Sequence, residues 1–210
     1  TAEAAVDAAR QIAFPVALKI LSPDIVHKSD VGGVVLDLRD EDAVRRAADE
    51  MLAALRSAQP RARLSGFSVQ RMARRPHAQE LIVGASVDPT FGPVLMVGQG
   101  GTAVEVLGDR AIALPPLNRV LASEAIARTR VSRLLGGWRD HPPARVDAVA
   151  DVLVALSRMQ ADLPELAELD VNPLWVDEQG VLALDARARL SAARPAGVEH
   201  FALLPDPREL

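Results

Sequence analysis

The sequence predicts an α+β (α/β) fold arranged in two lobes. Two observations carry that expectation. Short aliphatic and β-branched runs bounded by Gly and Pro alternate with longer stretches whose apolar residues recur at helical spacing. An arginine-rich stretch holding Arg71, Arg74 and Arg75 then separates a first β-loop-β-α-β pattern from a second, longer one. At 210 residues the chain exceeds the usual size of one domain, so each lobe can bury a core of its own.

The chain opens in a helical pattern carried by Ala2, Val6 and Ile12. Residues 15–21 and 33–38 read as strands, separated by a polar loop over 22–32. Residues 40–58 read as a helix with an acidic first turn and an apolar face of Val44, Ala48, Met51, Leu52 and Leu55. A strand over 67–70 completes the first lobe. Beyond the arginines, 80–87, 94–97 and 102–107 read as neighbouring strands, punctuated by Asp88, Pro89, Gly98, Gly100 and Gly101. Two helices follow: 123–135, opened by a serine cap and stopped by Gly136, and 146–159. Residues 168–171, 174–176 and 181–184 return to strands. The expected boundaries are 1–72, 73–190 and a linker-like tail over 191–210.

Composition excludes several function classes. With 24 basic and 28 acidic residues the formal charge is −4, so no global positive field gathers nucleic acid or anionic lipid. The absence of cysteine removes disulfides, thiolate metal sites and a cysteine nucleophile, and fits a reducing interior, so the expected location is cytoplasmic. No run of about 18 apolar residues and no charged-then-apolar leader occurs, so neither a membrane span nor an export signal is expected. Thr1 in place of methionine suggests a piece of a longer polypeptide.

Of the 24 basic residues 22 are arginine, and the two lysines, Lys19 and Lys28, fall in one short stretch. An ammonium is a compact point charge that a planar guanidinium does not replace. Residues 19–33 read KILSPDIVHKSDVGG. Lys19 lies toward the end of an apolar strand, where an ammonium needs an anionic partner, and a phosphate would serve. Gly32 and Gly33 allow a ligand to approach the backbone closely and let successive amides point at an anion. His27, in the same loop, has the chemistry of a base, an acid or a nucleophile.

Near the C-terminus, ELDVNPL places Glu168, Asp170 and Asn172 on one strand face, and LALDAR places Asp185 at the end of an adjacent strand. Carboxylate and amide oxygens suit a hard cation. Mg²⁺ takes one or two carboxylates and completes its shell from water and nucleotide phosphates. A lysine and a glycine loop in one lobe, with oxygen ligands in the other, describe a cleft for a nucleotide and Mg²⁺.

The segments FPVALKILSPDIVHKSDVGGV, ELIVGASVDPTFGPVLMVGQGGTAVEVL, IALPPL, RLLGGWRDHPP and ELDVNPLWVDEQGVLALDARA resemble, in that order, the ATP-grasp domain of the ADP-forming (NDP-forming) acyl-CoA synthetases of the acetate–CoA ligase type. More distantly they resemble the β-subunit of succinyl-CoA synthetase. The resemblance covers roughly residues 1–190. It implies that Lys19 contacts nucleotide phosphates, that Gly32 and Gly33 form the flexible loop over them, and that Asn172 and Asp185 ligate Mg²⁺ with Asp170 beside them. It implies an adenine-clamping hinge at 69–73, holding Gln70, Arg71 and Met72, with Glu80 the acidic residue just beyond. It implies that His27 relays phosphate between the nucleotide and a histidine on the CoA-ligase portion. The implied cofactors are ATP/ADP and Mg²⁺; the implied partners are CoA-binding and CoA-ligase domains, on the same polypeptide or on a partner subunit.

One departure stands at the hinge: the family usually reads Gln-Glu-Met, and this chain has Gln70, Arg71 and Met72. The tail, HFALLPDPREL, has no core pattern and two prolines. It resembles the junction in fused proteins where such a domain precedes a GNAT-type lysine acetyltransferase. A second reading therefore accompanies the enzymatic one, a nucleotide-sensing regulatory domain, with Arg71 as the feature in its favour.

Overall fold

Two short side chains start the helices of the N-terminal half. Thr1 Oγ1 accepts the Ala4 amide (3.2 Å) ahead of α1 (Ala2–Ile12). Asp40 Oδ1 accepts the Ala43 amide (2.7 Å) ahead of α2 (Glu41–Ala58). Each satisfies one of the amides that a helix N-terminus leaves without an intrahelical acceptor. The computed structural model describes residues 1–25, 28–101 and 108–191, in two compact units, Thr1–Arg74 and Arg75–Leu210.

The first unit is a three-stranded antiparallel sheet backed by the two helices. Strands β1 (Val16–Leu21), β2 (Val34–Leu38) and β3 (Gly66–Arg71) lie in the order β2-β1-β3. Alternation along β1 sends Val16, Leu18 and Ile20 to one face, where they pack with Val6, Ala9, Val44, Ala48, Met51 and Leu55. Removing each large aliphatic side chain from water contributes about 1.5–3 kcal/mol, which commits this face to the helices. The opposite face carries Lys19, with Val34 and Ser68 as its cross-strand partners.

The second unit is a six-stranded antiparallel sheet of β4 (Gln79–Asp88), β5 (Gly92–Gln99), β6 (Arg110–Ala113), β7 (Leu166–Asp177), β8 (Gly180–Ala183) and β9 (Ala186–Leu190). The path runs β6-β5-β4-β7-β8, and β9 also pairs with β7. Helices α3 (Arg119–Ala127), α4 (Ser132–Leu135) and α5 (Val146–Asp162) supply Ile126, Leu135, Val149 and Leu153 to a core with Leu81, Val83, Leu95, Val97, Leu174 and Val176. At the start of this unit Arg75 donates to Asp177 Oδ1 (3.1 Å) and Gly180 O (3.0 Å), fixing the β7–β8 turn. Among the described residues no helix is long and apolar enough to cross a membrane.

Several elements differ from the sequence reading. The helix expected over 123–135 is two helices, the first capped by Asn118 Oδ1 on the Leu121 amide (2.9 Å). Buried Asp109 causes the break: its carboxylate accepts the Arg130 (2.6 Å) and Val131 (2.7 Å) amides and starts α4 afresh. The two strands expected over 168–171 and 174–176 are one, β7. Strands β6 and β9 were not expected. The strand expected over 102–107 and the tail beyond 191 lie outside the described residues.

Removing the Asp109 carboxylate leaves two shielded amides unpaired, at a cost of about 1–3 kcal/mol. Asp109→Ala should lower the stability of the second unit by that amount, read from urea unfolding.

Candidate functional site

In the first unit Lys19 and the glycine pair are neighbours. Lys19 stands opposite Val34, and the Ile20 amide donates to Gly33 O (2.9 Å). Gly33 is required by space: a Cβ there would lie 2.5 Å from Ile20 Cδ1 and 2.8 Å from Lys28 O. Gly32 has φ +66, a left-handed conformation that glycine adopts without a Cβ penalty. The amides are not presented to an anion as expected. Gly32 N–H donates to Ser29 O (3.2 Å) and Gly33 N–H to Lys28 O (2.7 Å), closing the short 3₁₀ turn Lys28–Val31. His27 lies outside the described residues.

Gln70 lies opposite Ala17, two places along β3 from Ser68, and so shares the face of Lys19. Arg71 turns away from this face and donates to Ile12 O (3.1 Å), capping the end of α1. Met72, whose amide donates to Pro15 O (3.0 Å), lines a cavity of about 670 Å³ with Phe14, Pro15, Arg39 and Arg74. Arg39 (2.6 Å) and Arg74 (2.7 Å) bracket the Asp37 carboxylate and hold its pKa below the ordinary value.

The second unit holds Asp170, Asn172 and Asp185, the residues expected to ligate a cation. Strand β7 pairs with β9 up to Val171, with a register shift between Leu166 and Glu168, and with β8 from Leu174 onward. The chain between β8 and β9 stays attached: the Asn172 amide donates to Asp185 O (3.2 Å) and the Leu184 amide to Pro173 O (3.1 Å). Opposed residues of an antiparallel pair point to the same side. Glu168 with Arg189, Asp170 with Arg187, and Asn172 with Asp185 are therefore three successive rungs of one face. Arg189 closes on Glu168 at 3.1 Å. Burial chiefly, and then the Glu168 carboxylate, push the Asp170 carboxyl up; Arg187 opposes them, and Asp185 adds a smaller push. Across β7 the partner of Asp170 is Gly84, which places no side chain between Asp170 and a cavity of about 170 Å³ lined also by Ser86 and Met96. Glu80 is held elsewhere on the sheet, accepting from Trp175 Nε1 (3.1 Å) and lying against Gly101.

These donors fit a hard divalent cation. Among the described residues no three His, Cys, Asp or Glu side chains converge on a metal-sized point. A cation here would take oxygens of Asp170, Asp185 and the Asn172 amide, then complete its shell from water and phosphate. A family model described as an ATP-grasp domain matches residues 1–190.

The chain belongs to the ATP-grasp family. The ATP-grasp chain is 37% identical over 185 residues to acetate–CoA ligase (ADP-forming) I subunit beta of Pyrococcus furiosus, covering 88% of this chain and 79% of that one. It is 43% identical over 181 residues to acetate–CoA ligase (ADP-forming) I of Archaeoglobus fulgidus, covering 86% of this chain but 26% of that protein. It thus spans about a quarter of the length of the single-chain ligase. Among solved structures, a Ca. Korarchaeum cryptofilum dinucleotide-forming acetyl-coenzyme A synthetase 1, in complex with coenzyme A and Ca-AMPCP, superposes with a TM-score of 0.86 at 39% identity, covering 91% of this chain and 82% of that one. A form of that synthetase with coenzyme A and Mg-AMPPCP, its phosphohistidine segment pointing towards the nucleotide-binding site, gives a TM-score of 0.77 at 38% identity, covering 91% of this chain and 83% of that one.

The sequence reading passed over Trp175, Gly84 and Arg187 in the ATP-grasp chain. For Arg187 a signal existed, since Asp185, Arg187 and Arg189 alternate with small residues at the period of a strand.

The loop entering the 3₁₀ turn is pinned by Asp24, which accepts the Arg63 amide (2.7 Å), Nε (3.0 Å) and Nη2 (2.7 Å). Arg63 holds the Asp24 carboxyl down to about 2. A depressed carboxyl stabilises the fold fully above its unfolded value of about 3.9, and the contribution is lost as pH falls through about 2. Asp24→Asn should lower the urea midpoint at pH 7 and flatten its decline across that acid window.

Proposed function

We propose that this chain is the nucleotide-binding and phosphoryl-transfer component of an ADP-forming acyl-CoA synthetase, joining a carboxylic acid to CoA with ATP, or running in reverse, through acyl phosphate and phosphohistidine. The observation that carries this reading is the Asp170, Asn172 and Asp185 corner of β7, a set of hard oxygen donors in a chain of the ATP-grasp family. The chains named subunit beta and the longer single-chain ligases among its relatives support a partner that contributes the CoA-binding and CoA-ligase portions. That partner would also select the acid.

In this reading Lys19 supplies a point charge to the nucleotide phosphates, held on the open face of a sheet whose other face is buried. Asp170, Asn172 and Asp185 hold Mg²⁺, which when bound neutralises charge on the transferring phosphoryl group. The Gly32–Gly33 turn reaches the phosphates only after releasing its amides from Ser29 O and Lys28 O. Gln70 and Met72 face the base, and Glu80 is kept in place by Trp175. His27 takes the phosphoryl group: the P–N bond forms as the P–O bond to the leaving diphosphate breaks, and the imidazole gives up its N–H proton. The regulatory alternative leaned on Arg71, and Arg71 has its own employment on the end of α1.

Asp185→Asn tests the reading. Calorimetric titration with ATP, with and without Mg²⁺, should show metal-dependent binding in the natural chain and weakening by about tenfold or more in the variant, the loss of one charge-assisted contact. Unchanged Mg-ATP affinity would count against the assignment.

A further inference from the structure

We propose that Arg187 is a substrate-contacting residue of this site, its guanidinium meeting the terminal phosphoryl oxygens of the bound nucleoside triphosphate. The proposal rests on the nucleotide-binding reading above and adds to it a residue that the oxygen ligands alone do not explain.

The argument comes from the three rungs on β7. On the first, Glu168 and Arg189 close into an ion pair at 3.1 Å. On the third, Asn172 and Asp185 are tied through their backbones. On the middle rung Arg187 stands directly opposite Asp170, yet its side chain makes no hydrogen bond or ion pair with the described residues. All five residues of β9 are exposed, so folding does not require Arg187 where it is. The same rung has Gly84 on the far side of β7, which leaves space beside Asp170. A guanidinium and a carboxylate thus sit side by side, each with capacity for a ligand carrying both a cation and an anion, as a metal–nucleotide does.

Position supports phosphate as the anion. Arg187 lies two residues from Asp185 on the same face, about 6.6 Å along a strand, a span that an arginine side chain covers. A phosphoryl group whose oxygen completes the shell of a cation held by Asp185 and Asn172 falls within that reach. The planar fork of arginine matches two phosphate oxygens at once, which a point charge does not. The outermost phosphoryl group carries the most free oxygens and is the one transferred.

Calorimetric titration of the full chain with Mg-ATP and Mg-ADP tests this. Arg187→Ala should weaken ATP about 10–100-fold, the range of a charge-assisted hydrogen bond pair, and ADP no more than about threefold. Arg187→Lys should recover part of the ATP affinity, and serves as the readout if the alanine variant does not fold. Arg189→Ala, which breaks only the pair with Glu168, should leave ATP affinity unchanged. Equal loss for ATP and ADP, no loss in Arg187→Ala, or the same loss in Arg189→Ala would overturn the role of Arg187 alone. Absence of metal-dependent ATP binding in the natural chain would overturn the nucleotide reading, and Arg187 with it.

Discussion

The second unit depends on strand β7 being hydrogen-bonded along both edges. On one side it runs against β4 from Gln79 to Ser86, with a register shift between Leu81 and Val83; on the other, from Glu168 onward, it holds β9 and then β8. A strand pinned on both sides cannot slip by one residue without sending every side chain to the wrong face. Val171 is committed to the core, so Asp170 beside it is committed to the opposite face; past the register shift the core side passes to Leu174 and Val176. The raised pKa of Asp170 follows from the same constraint, because burial chiefly, and then the Glu168 and Asp185 carboxylates, oppose its charge. A cation beside Asp170 would relieve that opposition.

The first unit solves a different problem. Lys19 must keep an ammonium on a strand whose alternate residues are among the most buried in the molecule. The sheet does so by giving one face to α1 and α2 and placing Lys19 on the other, beside Val34 and Ser68. Arginines then do the peripheral holding: Arg71 on α1, Arg63 on the loop before the 3₁₀ turn, Arg39 and Arg74 around Asp37.

Much of this was legible because it is periodic. Strands β1, β2, β4 and β5 announce themselves through aliphatic runs, and α2 through an acidic first turn and a four-residue apolar rhythm. The shared face of Glu168 and Asp170 was legible for the same reason, since alternate residues of a strand point to one side. What was missed has no such rhythm. Strand β9 buries nothing and is held by backbone bonds to β7. The break between α3 and α4 is imposed by Asp109, some twenty residues upstream, which no local pattern reports. The glycine amides were read as free for an anion, but the four-residue turn Lys28–Val31 gives them nearer acceptors.

The pairing of β4 with β7 also dictates an order of assembly. Gln79 bonds opposite Val176, so nearly a hundred residues must leave the ribosome before the hairpin of β4 and β5 gains its second neighbour. Until then that hairpin shows an open edge and an apolar face of Leu81, Val83 and Ala85, the kind of surface that captures stray strands. Pairings so distant along the chain close slowly. The first unit meets no such delay, because all three of its strands and both helices are complete by residue 71. During synthesis, the half bearing Lys19 is therefore ready to fold well before the half bearing Asp170 and Asp185.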